Sequence, residues 1–459
     1  MPAGAGRLIA GTQHNWAYLT EPQAQLSGRS LYWPRGKVLG GSSSINAMIH
    51  LRGHRADFDT WRDNGCEGWG YDEVAPYFDE LETRLGIRSL STPDPFFNGF
   101  LAAGAALGYR ADQNFNDGAP DGFGRLPLAI RCGERQSASR VFLAPARTRR
   151  NLVVALDSEA MRVLIRDGRA YGVEYRREGE AARAVATREI VLCAGAVNTP
   201  KLLMLSGIGP GETLRDLNVD VVVDSPHVGR HLQDHVCLTF HFARRVQTSE
   251  KIGPYDRESA ADEYAARRSG PLASQALEVG AFVRSDERMM RPDLQLLGLS
   301  AHMRDHGRQK THEPAVTIHV CLLQPRSLGS IVPDGPDLLA PPRIDPAYLN
   351  DPRDLEVLAT GAQLVRKMTV LDVWGGVLGP ELFPGPRASL RVAAESIYHP
   401  VGTVGMGRVL DSRLRVKGLD ALRVVDASSF PAIPSANTNA AVMMAALKGA
   451  AMLLEDTEA

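Results

Sequence analysis

Several short β-branched runs along this chain, set off by glycine and proline, read as strands. Asn151–Leu156 (NLVVAL) and Arg169–Tyr175 (RAYGVEY) flank a turn at Asp167-Gly168, which predicts an antiparallel pair. Arg188–Gly195 (REIVLCAG) is apolar and ends in glycine, and Asn198-Thr199-Pro200 leads on to a helical pattern over Lys201–Ser206. This is the strand-turn-helix order of an α/β sheet, where ligands bind at the carboxyl ends of the strands. Leu422–Asp426 repeats the theme, passing through Ala427-Ser428-Ser429 and a proline-rich loop into a helix over about Ala440–Glu455. That helix is apolar nearly all round, so it is expected to be buried. Between these stretches, residues 237–395 alternate more loosely and carry proline-rich links such as Leu339–Pro346, the mark of a second domain inserted into the first. No repeat at solenoid periods is present. The longest apolar run, Ala440–Leu447, ends at Lys448 and falls well short of the ~20 residues needed to span a bilayer.

At 459 residues, 44% hydrophobic and 23% charged, the chain is expected to fold into two or more globular domains. A formal net charge of −1 removes the electrostatic case for nucleic acid and points to a small-molecule partner. The five cysteines are scattered and lack CxxC spacing, which predicts free thiols in a reducing compartment and no thiolate metal site. Met1–Gly6 lacks the charged start and apolar core of a signal peptide, so a cytoplasmic protein is expected, with peripheral membrane contact left open.

Candidate chemistry sits in three places. Arg35–Asn46 (RGKVLGGSSSIN) is a Gly- and Ser-rich loop able to present N–H groups and hydroxyls to an anion, although such residues also make ordinary solvated turns. It is not a P-loop, because Val38 follows Lys37 where Ser or Thr would be required. No G-x-S-x-G elbow is present. His227, His231 and His235 recur at i, i+4 and i+8, but Pro226 and Gly229 argue against one helix through all three. They are read as incidental loop histidines, and no metal is expected. The third place is IYHPVGTVGMG (Ile397–Gly407), where one ionisable ring stands beside proline and three glycines.

RGKVLGGSSSINAMIHLRG (Arg35–Gly53), GAVNTPKLLMLSGIGP (Gly195–Pro210) and the ending YHPVGTVGMG…LRVVDASSFPAIPSANTNAAVMMAALKGAAMLL together closely resemble the glucose-methanol-choline family of flavin oxidoreductases. VGRHLQDH (Val228–His235) and QPRSLGSI…PRIDPAYL (Gln324–Leu349) extend the likeness over almost the whole chain. The resemblance implies an α/β, two-domain (α+β) fold. Residues 1–62, 136–236 and 400–459 would form a Rossmann-like FAD-binding domain lacking its first βαβ unit; residues 63–135 and 237–399 would form an inserted substrate domain on an antiparallel sheet.

The resemblance also implies site residues. His399 matches the histidine that takes the proton of the substrate hydroxyl as a hydride leaves carbon, a role suited to imidazole. Gly402, Gly405 and Gly407 would let the backbone approach a planar ring. Asn437 matches the position beside that histidine, and Thr438 and Asn439 would open the C-terminal helix toward the flavin; taken alone, the three are an N-cap cluster. Arg35, Val38, Gly40, Gly41, Ser42 and Asn46 would line the cofactor. Asp426 and Ala427 would lie near its ribityl and pyrophosphate, and Ala160 and Gly195 near its adenosine end. Some members carry at the place of Ile45 a histidine that binds flavin covalently; isoleucine cannot, so noncovalent FAD is expected.

Family members begin with a strand, a Gly-rich turn and a helix that hold the pyrophosphate, and Met1 stands at a point after that unit. Two expectations follow. One is an FAD-dependent alcohol or choline-type dehydrogenase or oxidase converting an alcohol, primary by preference, to an aldehyde with His399 as base. Electrons would pass to oxygen or a quinone. The other is a non-catalytic family remnant with weak or no FAD binding. Ala301–Arg308 and HVCLLQPRSLGSI (His319–Ile331) resemble bacterial choline dehydrogenase-like and alkanol dehydrogenase members.

Overall fold

The computed structural model of the chain describes residues 1–245, 258–309, 311 and 313–458; part of the expected substrate domain, at 246–257, 310 and 312, lies outside the described residues, as does residue 459. Two large cores organise the chain, with a third cluster around Met48, Leu128, Leu297 and Cys321 beside the cavity. The first surrounds a parallel pair of short strands, Ile190–Leu192 and Leu422–Val424, joined in register from Ile190 opposite Leu422 to Leu192 opposite Val424. Both strands are followed by the segments that reach the site. The C-terminal helix Asn439–Glu458 packs here through buried Ala440, Ala441, Met444 and Ala445, together with Phe430, Trp61 and Phe78. The helix Tyr71–Leu85, which the sequence analysis gives to the substrate domain, buries Val74 and Phe78 in this same core.

The hairpin expected around Asp167-Gly168 forms, but from a different first strand. Ser158–Arg166 pairs with Arg169–Arg177, whereas residues 151–156 are irregular and leave Val153 88% exposed. The reason is the turn. Asp167 and Gly168 both take positive φ (50° and 75°), the two-residue hairpin connection that places Arg166 directly opposite Arg169, so the partner strand must abut it. A β-branched run beginning fifteen or so residues upstream has no strand left to pair with.

The second core is carried by a seven-stranded antiparallel sheet, in the order Leu378–Phe383, Val236–Arg244, Ala315–Leu322, Leu294–Leu299, Leu277–Val283, Gly122–Arg125, with Ala394–Ser396 also on Val236–Arg244. Side chains alternate across its two faces. Leu238, Phe240, Leu294, Leu296, Ile318 and Val320 pack against the helices Pro95–Ala106 and Pro352–Thr369 on one face. The opposite face carries Cys237, Thr239, Gln295, Leu297, His319 and Cys321, all buried. Gly361 lets the long helix lie close on the sheet, since a Cβ there would meet Val320 at 2.4 Å. No described helix is long and apolar enough to cross a membrane.

Candidate active site

A cavity of about 1700 Å³ opens between the two cores, larger than the ~300–1,000 Å³ typical of small-ligand pockets. The Gly-Ser loop, the turns after both parallel strands, the start of the C-terminal helix and the polar-bearing face of the large sheet all reach it. Arg35, Val38, Gly40, Gly41, Ser42, Asn46, Gly195, Asp426, Ala427, Thr438, Asn439, His399 and Asn437 line this one space. Ala160 does not. It lines a neighbouring pocket of about 140 Å³ that shares Trp16, Ala194 and Asn198 with the main cavity.

His399 is held by three consecutive residues of the segment LQDH. The backbone of Gln233 pairs with Val401 in both directions (3.1 and 2.9 Å), the Asp234 carboxylate accepts the His399 N–H at 2.6 Å, and the ring of His235 meets the ring of His399, Nδ1 to Nδ1, at 3.0 Å. Asp234 also accepts from Ser396 Oγ (2.6 Å) and from the Tyr348 hydroxyl, and burial pushes its carboxyl up to about 6. Tyr398 takes a left-handed φ of 69°, and its carbonyl accepts from Arg35 at 2.6 Å. Burial, with His235 and Arg35 nearby, holds the His399 imidazole well below the usual histidine range.

On its other side, His399 Nε2 lies 3.1 Å from Asn437 Nδ2, and Asn437 Oδ1 accepts from Gln295 Nε2 at 3.1 Å. Asn437 is fixed from below by Asp57, whose carboxylate accepts both the N–H (2.8 Å) and the hydroxyl (2.9 Å) of Ser435. Asp426 works in a similar way between the two parallel strands. It accepts from Gly195 N (2.8 Å), Thr199 Oγ1 (2.6 Å) and Ser428 N (2.8 Å), tying the turn after one strand to the turn after the other.

Several expectations change. The helix after the first parallel strand spans Gly195–Met204, beginning six residues before Lys201, and Pro200 lies inside it. Proline removes the N–H that would bond the Ala196 carbonyl, and Thr403 Oγ1 donates to that carbonyl instead at 2.8 Å. None of the three glycines after His399 lines the cavity: a Cβ at Gly402 would meet the His231 carbonyl at 2.7 Å and one at Gly405 the Phe430 carbonyl at 3.1 Å, so these two close on protein, and one at Gly407 would meet nothing. Finally, His227, His231 and His235 do not share a helical face. His227 Nδ1 contacts His231 Nε2 at 3.2 Å, whereas His235 turns inward to His399, and no metal-binding cluster occurs among the described residues. His235 is thus no incidental loop residue. Its partner is 164 positions away, beyond the reach of spacing arguments. A usable signal does exist in VCLTFHF (Val236–Phe242) and AVTIHVCL (Ala315–Leu322), where small or polar residues alternate with large apolar ones and identify a buried face that is not pure core.

The lining suits FAD. Gly40 takes a φ of 87°, and a Cβ there would strike Ser44 Oγ at 2.5 Å, so glycine is needed for the tight turn that brings Gly41 and Ser42 into the cavity wall. The C-terminal helix starts at Asn439 in the wall of the cavity, where its first N–H groups have no partner within the helix. Arg35, pushed down by burial, has no carboxylate within salt-bridge distance among the described residues, a cation suited to a ligand that gains negative charge. Ile45 is buried in the wall and offers no nucleophile.

Two family models described as GMC oxidoreductase match residues 7–237 and 325–446. An alcohol dehydrogenase (acceptor) of Pseudomonas putida is 35% identical, with 100% of this chain and 89% of that protein covered. Human mitochondrial choline dehydrogenase is 36% identical, with 98% and 81% covered. Among solved structures, a pyridoxine 4-oxidase from "Mesorbium loti" superposes with a TM-score of 0.87 at 30% identity, over 99% of this chain and 91% of that one. A formate oxidase superposes with a TM-score of 0.91 at 25% identity, over 100% and 91%.

Proposed function

Because the chain belongs to the GMC oxidoreductase family, with FAD as its cofactor, we propose that it oxidises a primary alcohol to an aldehyde with His399 as general base. The observation that carries this reading is the meeting of His399 and Asn437 at 3.1 Å in the wall of a cavity shared with the Gly-Ser loop and the start of the C-terminal helix. FAD, when bound, supplies the acceptor for the hydride that leaves the carbinol carbon. His399 Nε2 receives the hydroxyl proton, and the Asn437 amide holds the substrate oxygen without competing for that proton. Arg35, the Gly40–Ser42 loop, Asn46, Gly195, Ala427, Thr438 and Asn439 are proposed to hold the cofactor, with Val38 and Ile45 as apolar wall and Asp426 shaping the turns. The electrons pass on to oxygen or a quinone.

An apolar alcohol is favoured over a cationic one. Leu277, Leu297, Leu299 and Ile397 line the sheet side of the cavity, and of the two lining carboxylates among the described residues Asp426 is occupied by its own hydrogen bonds, leaving Glu313. A quaternary ammonium is better served by an aromatic or acidic cage, whereas the aromatic rings of this wall are divided, Trp16 stacked on Tyr18 beside Asn198 and Tyr398 next to His399.

The test is His399→Ala in FAD-loaded protein. Flavin content should persist while the rate of flavin bleaching by alcohol falls ~10²–10⁴-fold. Near-wild-type bleaching would refute the assignment, and failure of the wild type to retain FAD in a direct titration would favour the non-catalytic alternative.

A further inference from the structure

Resting on the reading of His399 as base, we propose that His235 is a positioning residue: it holds the proton of His399 on Nδ1 and so leaves Nε2, the nitrogen beside Asn437, bare to take the substrate proton. Leu323 fixes the first proton of this hydrogen-bond chain. His235 Nε2 lies 3.1 Å from the Leu323 carbonyl, which can only accept, so Nε2 of His235 carries a hydrogen. A neutral imidazole has one N–H, and the Nδ1 of His235 is therefore a lone pair. The His235 side chain is fully buried, and burial holds its imidazole down at about 4, which keeps it neutral in ordinary buffers. The partner of that lone pair is His399 Nδ1 at 3.0 Å, with the rings perpendicular, so His399 donates from Nδ1.

A second chain of contacts reaches the same result from the opposite side. Gln295 Nε2 donates to Asn437 Oδ1, which turns the Asn437 NH₂ toward His399 Nε2. An N–H on that nitrogen would set two donors against each other. Only the tautomer with Nε2 bare satisfies both chains, and fixing a ring nitrogen through the hydrogen bond of its opposite nitrogen is how outer groups tune an imidazole.

Two variants separate this role from packing. In His235→Asn the amide oxygen can stand where Nδ1 stood and still accept from His399; in His235→Leu volume is kept and the acceptor is lost. With FAD-loaded enzyme, His235→Leu is expected to slow flavin reduction by alcohol about 10–100-fold, and His235→Asn to recover most of that loss. Histidine-selective ¹⁵N NMR, with the His399 signals assigned by their disappearance in His399→Asn, should show Nδ1 protonated and Nε2 bare in the wild type and in His235→Asn. The proton should shift toward Nε2 in His235→Leu. Equal rates in the two variants, or a wild-type spectrum with the proton on Nε2, would overturn the proposal. If neither variant folds, the wild-type spectrum alone decides it. A fully active His399→Ala enzyme would instead remove the base itself, a failure that spectrum does not share.

Discussion

A residue that must accept a proton has to arrive without one, and the surroundings of His399 favour that. Protonation is opposed by burial first, then by His235 and Arg35, so the imidazole stays neutral well below its usual pH range near ~6.5. A base with a lowered pKa is competent above that pKa and lost only as pH falls through it. The rate of flavin reduction extrapolated to low alcohol should therefore show no break at the ordinary imidazole value of ~6.5, and a break at about 6 would belong to the Asp234 carboxyl that holds the His399 N–H. A break near 6.5 in stopped-flow traces would show an imidazole that feels no such environment. Ile45 gives a second expectation at this scale. Acid precipitation should send the yellow colour into the supernatant as intact FAD, whereas a coloured pellet would reveal a covalent attachment. Both His399 and Asn437 were legible in the sequence because they stand in long local motifs. His235 and Gln295 were not, since their chemistry comes from partners 164 and 142 positions away that only folding brings near.

At the scale of elements, the helix Gly195–Met204 keeps a proline that ordinarily breaks a helix, because a hydroxyl from the His399 loop stands in for the missing donor. Thr403→Val would leave the buried Ala196 carbonyl unpaired and should cost about 1–3 kcal/mol in urea unfolding. Pro200→Ala returns an N–H to that carbonyl, so the same threonine change made in Pro200→Ala should cost clearly less. Equal costs in the two backgrounds would mean that the hydrogen bond does not couple the elements. This explains why the sequence analysis set the helix start too late: proline reads as a beginning, and the compensation lies about 200 residues downstream. The misplaced strand at 151–156 has a similar origin. Its apolar run is real, but pairing is decided by the turn, and strand propensity yields to register. The C-terminal helix, by contrast, was readable from its long apolar run, although the burial expected on every side is not met: Ala446, Ala450 and Leu454, four apart, form an exposed stripe.

For the whole molecule, the cavity draws its walls from the turns after the parallel strands and from the large antiparallel sheet, so a ligand that fills it joins the two. Chain stripped of FAD is expected to unfold calorimetrically at a lower midpoint and in resolved steps. FAD at 100 times its Kd should add about 2.7 kcal/mol and merge the steps into one. An unchanged thermogram on adding FAD would contradict this. The two-domain plan was visible in the sequence as a looser, proline-rich stretch set between two strand-turn-helix patterns, but the way the large sheet divides its two faces was not drawn from it. That division has an evolutionary consequence. Leu294, Leu296, Ile318 and Val320 hold the sheet to its helices, while Leu297, Leu299 and His319, on the same strands, face the cavity. A mutation at any of these cavity positions reshapes what the enzyme can accommodate without loosening the helices behind. A lineage can thus wander among alcohols by single substitutions, each folded intermediate remaining viable, and the strand's two-residue period is what makes such drift survivable.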